Sequence, residues 1–304
     1  MIKSQREPFS GGRGVMVLLL LALSLAFSAV RAETFAGPMA EAQWRLSSSV
    51  FECRLSHEIP RFGAAIFSRR AGEEQRFYLQ QDNRHLAGGE ARLRAEHPLW
   101  RENALPRPLG TFEVSEESTA LNLSWQQSQR LAAELGEGMR LVFTREPWHG
   151  SEQPVEVVLE PIGFRPGIDG FHECLVDLLP VNFDQVSRTA LYFPQGGEEL
   201  PREEQEKLDQ VALYANADER ISAFYIDGHT DGSGLRADNL ELSRERAERV
   251  AQYLVDRGVP RDKITVRWHG ERYPVASNRE PEGRSENRRV TIRLERPDDR
   301  LSSR

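Results

Sequence analysis

Residues 227–250 read "DGHTDGSGLRADNLELSRERAERV". The reading of this stretch decides the fold of the C-terminal half. Its first part, down to Gly234, is crowded with Asp, Gly, Thr and Ser, which turn the chain tightly, and it follows "RISAFYI" (220–226), a run of β-branched and aromatic residues that reads as a strand. Its second part opens a charged helix, expected over 239–257, with Leu240, Ala247, Val250, Ala251, Leu254 and Val255 inward and Gly258 as the stop.

The same alternation of periods continues on both sides. Upstream, "TALYF" (189–193) is strand-like, and "ELPREEQEKLDQVALYAN" (199–216) sets Leu208, Val211, Ala212 and Ala215 on one helical face, with Pro201 in the first turn. Downstream, "KITVRWHG" (263–270) and "RRVTIRLE" (288–295) add two strands joined by a loop. Strand, helix, strand, helix, strand, loop, strand predicts a βαβαββ sandwich over 183–296, one sheet with helices on a face, followed by a polar tail at 297–304.

Residues 33–182 differ. Short apolar runs such as "RFGAAIF" (61–67), "TALNLSW" (119–125), "MRLVF" (139–143) and "VEVVLE" (155–160) alternate at period two between Gly, Pro, Asn and Ser breaks. They predict an antiparallel β domain, a barrel or a sandwich, with one helix between Gln126 and Leu135. The fold class is therefore α+β overall.

The chain opens with Lys3, Arg6 and Arg13, an apolar run over 15–27 and then "SAVRA" (28–32). These are the three parts of a secretory signal peptide, expected to be cleaved after Ala32. The apolar run is shorter than the roughly 20 residues a spanning helix needs, and no cysteine near the cut offers a lipid site. Losing Lys3, Arg6, Arg13, Arg31 and Glu7 takes the formal charge from −7 to −10, which argues against nucleic acid as a partner. No transmembrane segment is expected in the exported chain. Its two cysteines, Cys53 and Cys174, are expected to pair in an oxidising compartment. That bond is read as tying the first strand of the β domain to its last.

The chain contains no HExxH, G-x-S-x-G, GxxxxGK[ST] or CxxC motif. Asp227, His229, Asp231, His269 and Glu271 offer metal ligands on paper, but the spacing fails the calcium-loop pattern, since twelve residues in stands Asp238 instead of Glu. No metal and no cofactor are expected. A different pair fits better: Asp231 in the turn and Arg246 in the helix that follows are complementary to a zwitterion, Asp231 to an ammonium and Arg246 to a carboxylate. Spacing alone leaves a plain Asp231–Arg246 salt bridge open.

"GHTDGSGLRADNLELSRERAERVAQYLVDRGV", "HGERYPVASN" and "GRSENRRV" resemble the OmpA-like peptidoglycan-binding domain in order and spacing. The resemblance covers roughly residues 185–296. It implies binding of the diaminopimelate of the stem peptide, whose side-chain end is a zwitterion, by Asp231 and Arg246. Asn239, Leu242 and Arg288 would line the pocket, and Thr230 would support the loop. One departure is "WHGE", with Trp268 and His269 where the family has Gly and an aromatic residue.

The family includes lipoproteins, outer-membrane barrels and stator subunits, whose sequence marks are missing here. The domain order, "ECRLSHEIPRFGAAIFSRRAG" (52–72) and "CLVDLLPVNFDQV" (174–186) resemble the MotY-type flagellar motor proteins. That resemblance implies a periplasmic, non-enzymatic adaptor. Its β domain would dock on the flagellar basal body as part of a periplasmic ring, and its C-terminal domain would fix that ring or its stators to peptidoglycan. The alternatives are a peptidoglycan hydrolase or amidase using acids such as Glu52, Glu58 and Glu73, and an envelope adaptor unrelated to motility.

Overall fold

The structure is a computed structural model and describes residues 32–37, 43–83, 85–86, 88–98, 105–146 and 153–297. The expected signal peptide, apart from Ala32, and the expected tail, apart from Pro297, lie outside the described residues.

The N-terminal half forms two open five-stranded sheets. The first runs β1 (Glu33–Ala36), β10 (Val155–Leu159), β9 (Arg140–Arg145), β6 (Gly89–Glu96), β7 (Arg107–Val114). The second runs β2 (Trp44–Ser48), β3 (Glu52–Ile59), β4 (Gly63–Arg70), β5 (Arg76–Gln81), β8 (Thr119–Leu123). The period-two pattern buries Cys53, Leu55, His57 and Ile59 of β3 against one shared apolar core. Phe77 of β5 stacks on Phe143 of β9, ring centroids 6.0 Å apart, so the sheets meet face to face. Of the two architectures open to the sequence, this is the sandwich. One pairing departs from the antiparallel expectation: β1 runs parallel to β10.

The helix expected after β8 is α1 (Trp125–Gly136), which starts in a Ser124–Gln127 capping box and buries Leu131 and Leu135. A second helix, α2 (Phe164–Val176), was not expected. Its Pro166, Gly167 and Gly170 lower helix propensity, yet Phe164, Ile168, Phe171 and Cys174 fall on one buried face. Cys174 sits on that helix and bonds Cys53 of β3. The disulfide is present as expected, but it ties the third strand to a helix instead of the first strand to the last.

Over residues 183–295 the elements are α3 (Phe183–Val186), β11 (Arg188–Tyr192), α4 (Arg202–Ala217), β12 (Ala223–Gly228), α5 (Arg236–Asp256), β13 (Ile264–Trp268), α6 (Pro281–Asn287) and β14 (Arg289–Glu295). The sheet order is β11-β14-β12-β13, with β12 and β13 parallel and β14 antiparallel to both of its neighbours. A second apolar core joins Leu208 and Val211 of α4 and Val250 and Leu254 of α5 to Phe224, Ile226 and Ile292 of the strands. This is the expected βαβαββ order with two short added helices, α3 ahead of the first strand and α6 in the last loop. Helix α5 begins three residues earlier than expected, at Arg236. Leu240, read as inward, is 46% exposed because it lies beyond the end of the core.

One close approach fixes α5 on the sheet. A Cβ at Gly228 would lie 2.1 Å from the Ser243 carbonyl oxygen. Only glycine lets the end of β12 sit this near the helix, and that sets the turn after β12 against the middle of α5.

Candidate functional site

The turn after β12 is held from three directions. Thr230 N–H donates to Gly270 O (3.0 Å), Gly232 N–H to Asn278 Oδ1 (3.1 Å) and Ser233 N–H to Asp231 Oδ1 (2.9 Å). Asn287 of α6 donates to Asn278 Oδ1 and accepts from Val275 and Ala276 N–H. The segment between β13 and β14 is thereby a brace for the Asp231 turn.

Asp231 is buried, and its Oδ2 accepts from Arg288 Nη1 at 3.1 Å. Burial pushes its carboxyl up, but the Ser233 N–H and the Arg288 guanidinium outweigh it and hold the group below its ordinary value. Arg288 Nε donates in turn to Phe193 O (3.1 Å).

Arg246 is fully buried. Its Nε donates to Gly197 O (2.8 Å) and its Nη2 to Pro194 O (3.0 Å), and its guanidinium carbon lies 5.0 Å from the Phe193 ring centroid. Its Nη1 is buried without a hydrogen-bond partner among the described residues. Burial and the neighbouring Arg288 charge lower its pKa to about 10, with Asp231 acting the other way. It stays cationic at neutral pH. The plain Asp231–Arg246 salt bridge is absent: the carboxylate faces Arg288, and Arg246 is held by backbone carbonyls of the β11–α4 loop.

The remaining candidates lie around this pair. Thr230 is buried, and its Oγ1 has no hydrogen-bond partner among the described residues. Asn239 is buried on α5, where its Nδ2 donates to Glu271 Oε2 (2.8 Å). Leu242, half-buried, stands one helical turn before Arg246. Asp231, Arg246 and Arg288 interact electrostatically, giving two guanidiniums and one carboxylate. Such a cluster complements a ligand bearing an ammonium and more than one carboxylate. Residues 193–197, whose carbonyls orient both arginines, carry no motif and were not anticipated.

His229 and His269 stack with centroids 5.0 Å apart, and His269 Nε2 lies 2.8 Å from Asp227 Oδ1. Burial, with Arg289 and His269 nearby, lowers His229 to about 4. Among the described residues no group of three or more His, Cys, Asp or Glu is placed to hold a metal. In the β domain, Glu52 accepts from Ser68, Glu58 pairs with Arg45 and Glu73 with Arg70. Each of these acids has its own structural partner.

The MotY N-terminal domain family matches residues 35–180, and the OmpA family matches residues 192–288. The sodium-type flagellar protein MotY of Vibrio parahaemolyticus is 29% identical over 287 residues, covering 93% of this chain and 96% of that protein. The peptidoglycan-binding protein ArfA of Mycobacterium tuberculosis is 44% identical over 102 residues, which cover 33% of this chain and 30% of that protein. Among solved structures, the C-terminal domain of Helicobacter pylori MotB is 24% identical, covers 38% of this chain and 89% of that one, and superposes with a TM-score of 0.35.

Proposed function

The chain is of the MotY type, a flagellar motor component with a MotY N-terminal domain and a C-terminal OmpA-like domain, and from that premise we propose that it fastens the motor to the cell wall by gripping the diaminopimelate of the peptidoglycan stem peptide. The observation that carries this reading is the unpartnered, fully buried Nη1 of cationic Arg246 beside the ionised Asp231. A buried donor left without an acceptor costs about 1–3 kcal/mol, more on a charged group. A ligand carboxylate on Nη1 removes that cost, while the ligand ammonium meets Asp231.

Arg288 supplies the second positive charge, and Asn239, Thr230 and Leu242 complete the pocket. The work is binding, with no bond made or broken. The protein acts in the periplasm, having been exported by the signal peptide over residues 1–32. The β domain over 33–182, closed by the Cys53–Cys174 bond, docks on a basal-body ring or on the stators, and the domain over 183–296 holds the wall.

Sedimentation with purified sacculi tests the wall contact. The unaltered chain is expected to pellet with sacculi and to be released by free diaminopimelate, and Asp231→Asn to remain in the supernatant. Equal pelleting of the Asp231→Asn protein would overturn the pocket assignment. Loss of swimming in a strain lacking the gene, with filaments still present, tests the motor role.

A further inference from the structure

A cavity of about 400 Å³ opens between the start of α5 and the end of β13. Arg236, Leu240, Trp268, His269, Glu271 and Arg272 line it; Asp231, Arg246 and Arg288 do not. Along β13, Ile264 and Val266 pack on the C-terminal core while Arg267 turns the other way to Asp227. Period two then brings Trp268 to the helix-bearing side, past the end of the core, where it is 42% exposed. Leu240 is equally open. The side chains of Arg236 and Arg272 make no hydrogen bond or ion pair among the described residues.

A tryptophan kept open to solvent, an apolar neighbour and two uncommitted guanidiniums around one concavity suit a particular ligand. It presents a flat C–H face to the indole and carries acetamido, hydroxyl or carboxylate oxygens at its edge for the arginines. A pyranose ring has that form. We propose that this cavity is a saccharide subsite for an N-acetylated amino sugar of the glycan strand whose stem peptide occupies the Asp231 pocket. The inference rests on the wall-peptide reading above.

The spacing supports the link. Thr230 N–H bonds Gly270 O at 3.0 Å, one residue from Asp231 on one side and two from Trp268 on the other. With Cα steps of 3.8 Å and a strand spacing near 4.8 Å, the Asp231 and Trp268 Cα atoms lie within roughly 16 Å. The lactyl, alanyl and γ-glutamyl units between the sugar and diaminopimelate span roughly 10–14 Å at ~3.5 Å or more per unit. The Asn239–Glu271 hydrogen bond joins a residue of one pocket to a residue of the other.

The test titrates the full exported chain with three probes. These are the sugar-free tripeptide L-alanyl-γ-D-glutamyl-diaminopimelate, the same tripeptide on its N-acetylglucosaminyl-N-acetylmuramic acid disaccharide, and the disaccharide alone. The disaccharide tripeptide is expected to bind about tenfold more tightly than the sugar-free one. Trp268→Ala, and separately Arg236→Gln with Arg272→Gln, should erase that margin and leave the affinity for the sugar-free tripeptide unchanged. The disaccharide alone should shift the Trp268 indole N–H resonance. Equal affinity of the unaltered chain for both tripeptides, or equal weakening of both by Trp268→Ala, overturns the subsite. Should the sugar-free tripeptide fail to bind, the Asp231 reading falls, and the disaccharide alone decides: a Trp268 shift sustains the subsite and no shift sinks it.

Discussion

Arg288 Nη1 donates to Asp231 Oδ2 at 3.1 Å, and so the acid of the "HTDGSG" turn is paired across the molecule with the residue that precedes the last strand. Both side chains are largely shielded, 16% and 7% exposed. The pair sets the charge of the pocket and fastens the turn after β12 to the end of α6.

Arg288→Gln should therefore weaken both stability and acid tolerance. Losing a mostly buried charged hydrogen bond costs about 1–3 kcal/mol, read as a lower urea midpoint at pH 7. Asp231 has a folded pKa below its unfolded one, so its contribution is complete above the unfolded value near 3.9 and is lost as pH falls through the folded value. Without Arg288 the folded value rises toward the unfolded one and this contribution shrinks, so the less stable protein should reach its acid-unfolding midpoint at higher pH.

Arg246 should be more costly to remove than Asp231. Arg246→Met strands the Pro194 and Gly197 carbonyls and is expected to lower stability by about 2–4 kcal/mol. Arg246→Lys should not rescue it, since an ammonium cannot reproduce the guanidinium fork. Denaturation of the three proteins alongside sacculus pelleting separates the effects: Asp231→Asn should lose wall binding with the smaller loss of stability.

His229 should make the protein less stable between about pH 6.5 and 4. Its folded pKa, about 4, lies below the ordinary 6.5, so across that window the unfolded chain takes up a proton that the folded chain refuses. Stability is full above 6.5 and falls by on the order of 2–3 kcal/mol toward pH 4. His229→Phe, which keeps a ring against His269, should flatten that slope in urea melts at pH 7 and pH 5. An unchanged slope would refute the assignment to His229.

Gly228→Ala should disturb wall binding from outside the pocket. The added methyl meets the Ser243 carbonyl oxygen at 2.1 Å, and relief by a backbone shift costs typically 1–3 kcal/mol. Because β12 leads into the Asp231 turn and Ser243 stands three residues before Arg246 on α5, the same shift separates the two binding groups. Both the urea midpoint and sacculus pelleting should fall.

Reducing the Cys53–Cys174 bond should act on the β domain. The closed loop spans 121 residues, for which chain entropy assigns about 4–5 kcal/mol. Paired Cys53→Ala and Cys174→Ala changes are expected to lower the unfolding midpoint of the N-terminal core and leave wall binding in place.

Local pattern determined a good deal of this protein. Periods of two and of three to four residues mark β12, α4, α5, β13 and β14, and the turn chemistry at 227–234 marks where the chain reverses, because each depends only on neighbouring residues. The two cysteines were enough for the disulfide, since two thiols in an oxidising compartment have one way to pair. Tertiary structure decided the rest. Helix α2 escaped notice because Pro166, Gly167 and Gly170 lower its propensity, and it stands on what Phe164, Ile168 and Phe171 bury. Its Gly167 lies close against Leu55 and Trp44, where a Cβ would come within 2.9 Å of Leu55 Cδ1.

At the pocket, spacing singled out Asp231 and Arg246 but could not say what each would face. Arg288 takes the Asp231 carboxylate, and the carbonyls of Pro194 and Gly197 take Arg246. Those carbonyls carry no side-chain signature. A backbone oxygen becomes a ligand for a buried guanidinium only when folding brings a loop some fifty residues upstream beside α5, and no local pattern records that meeting.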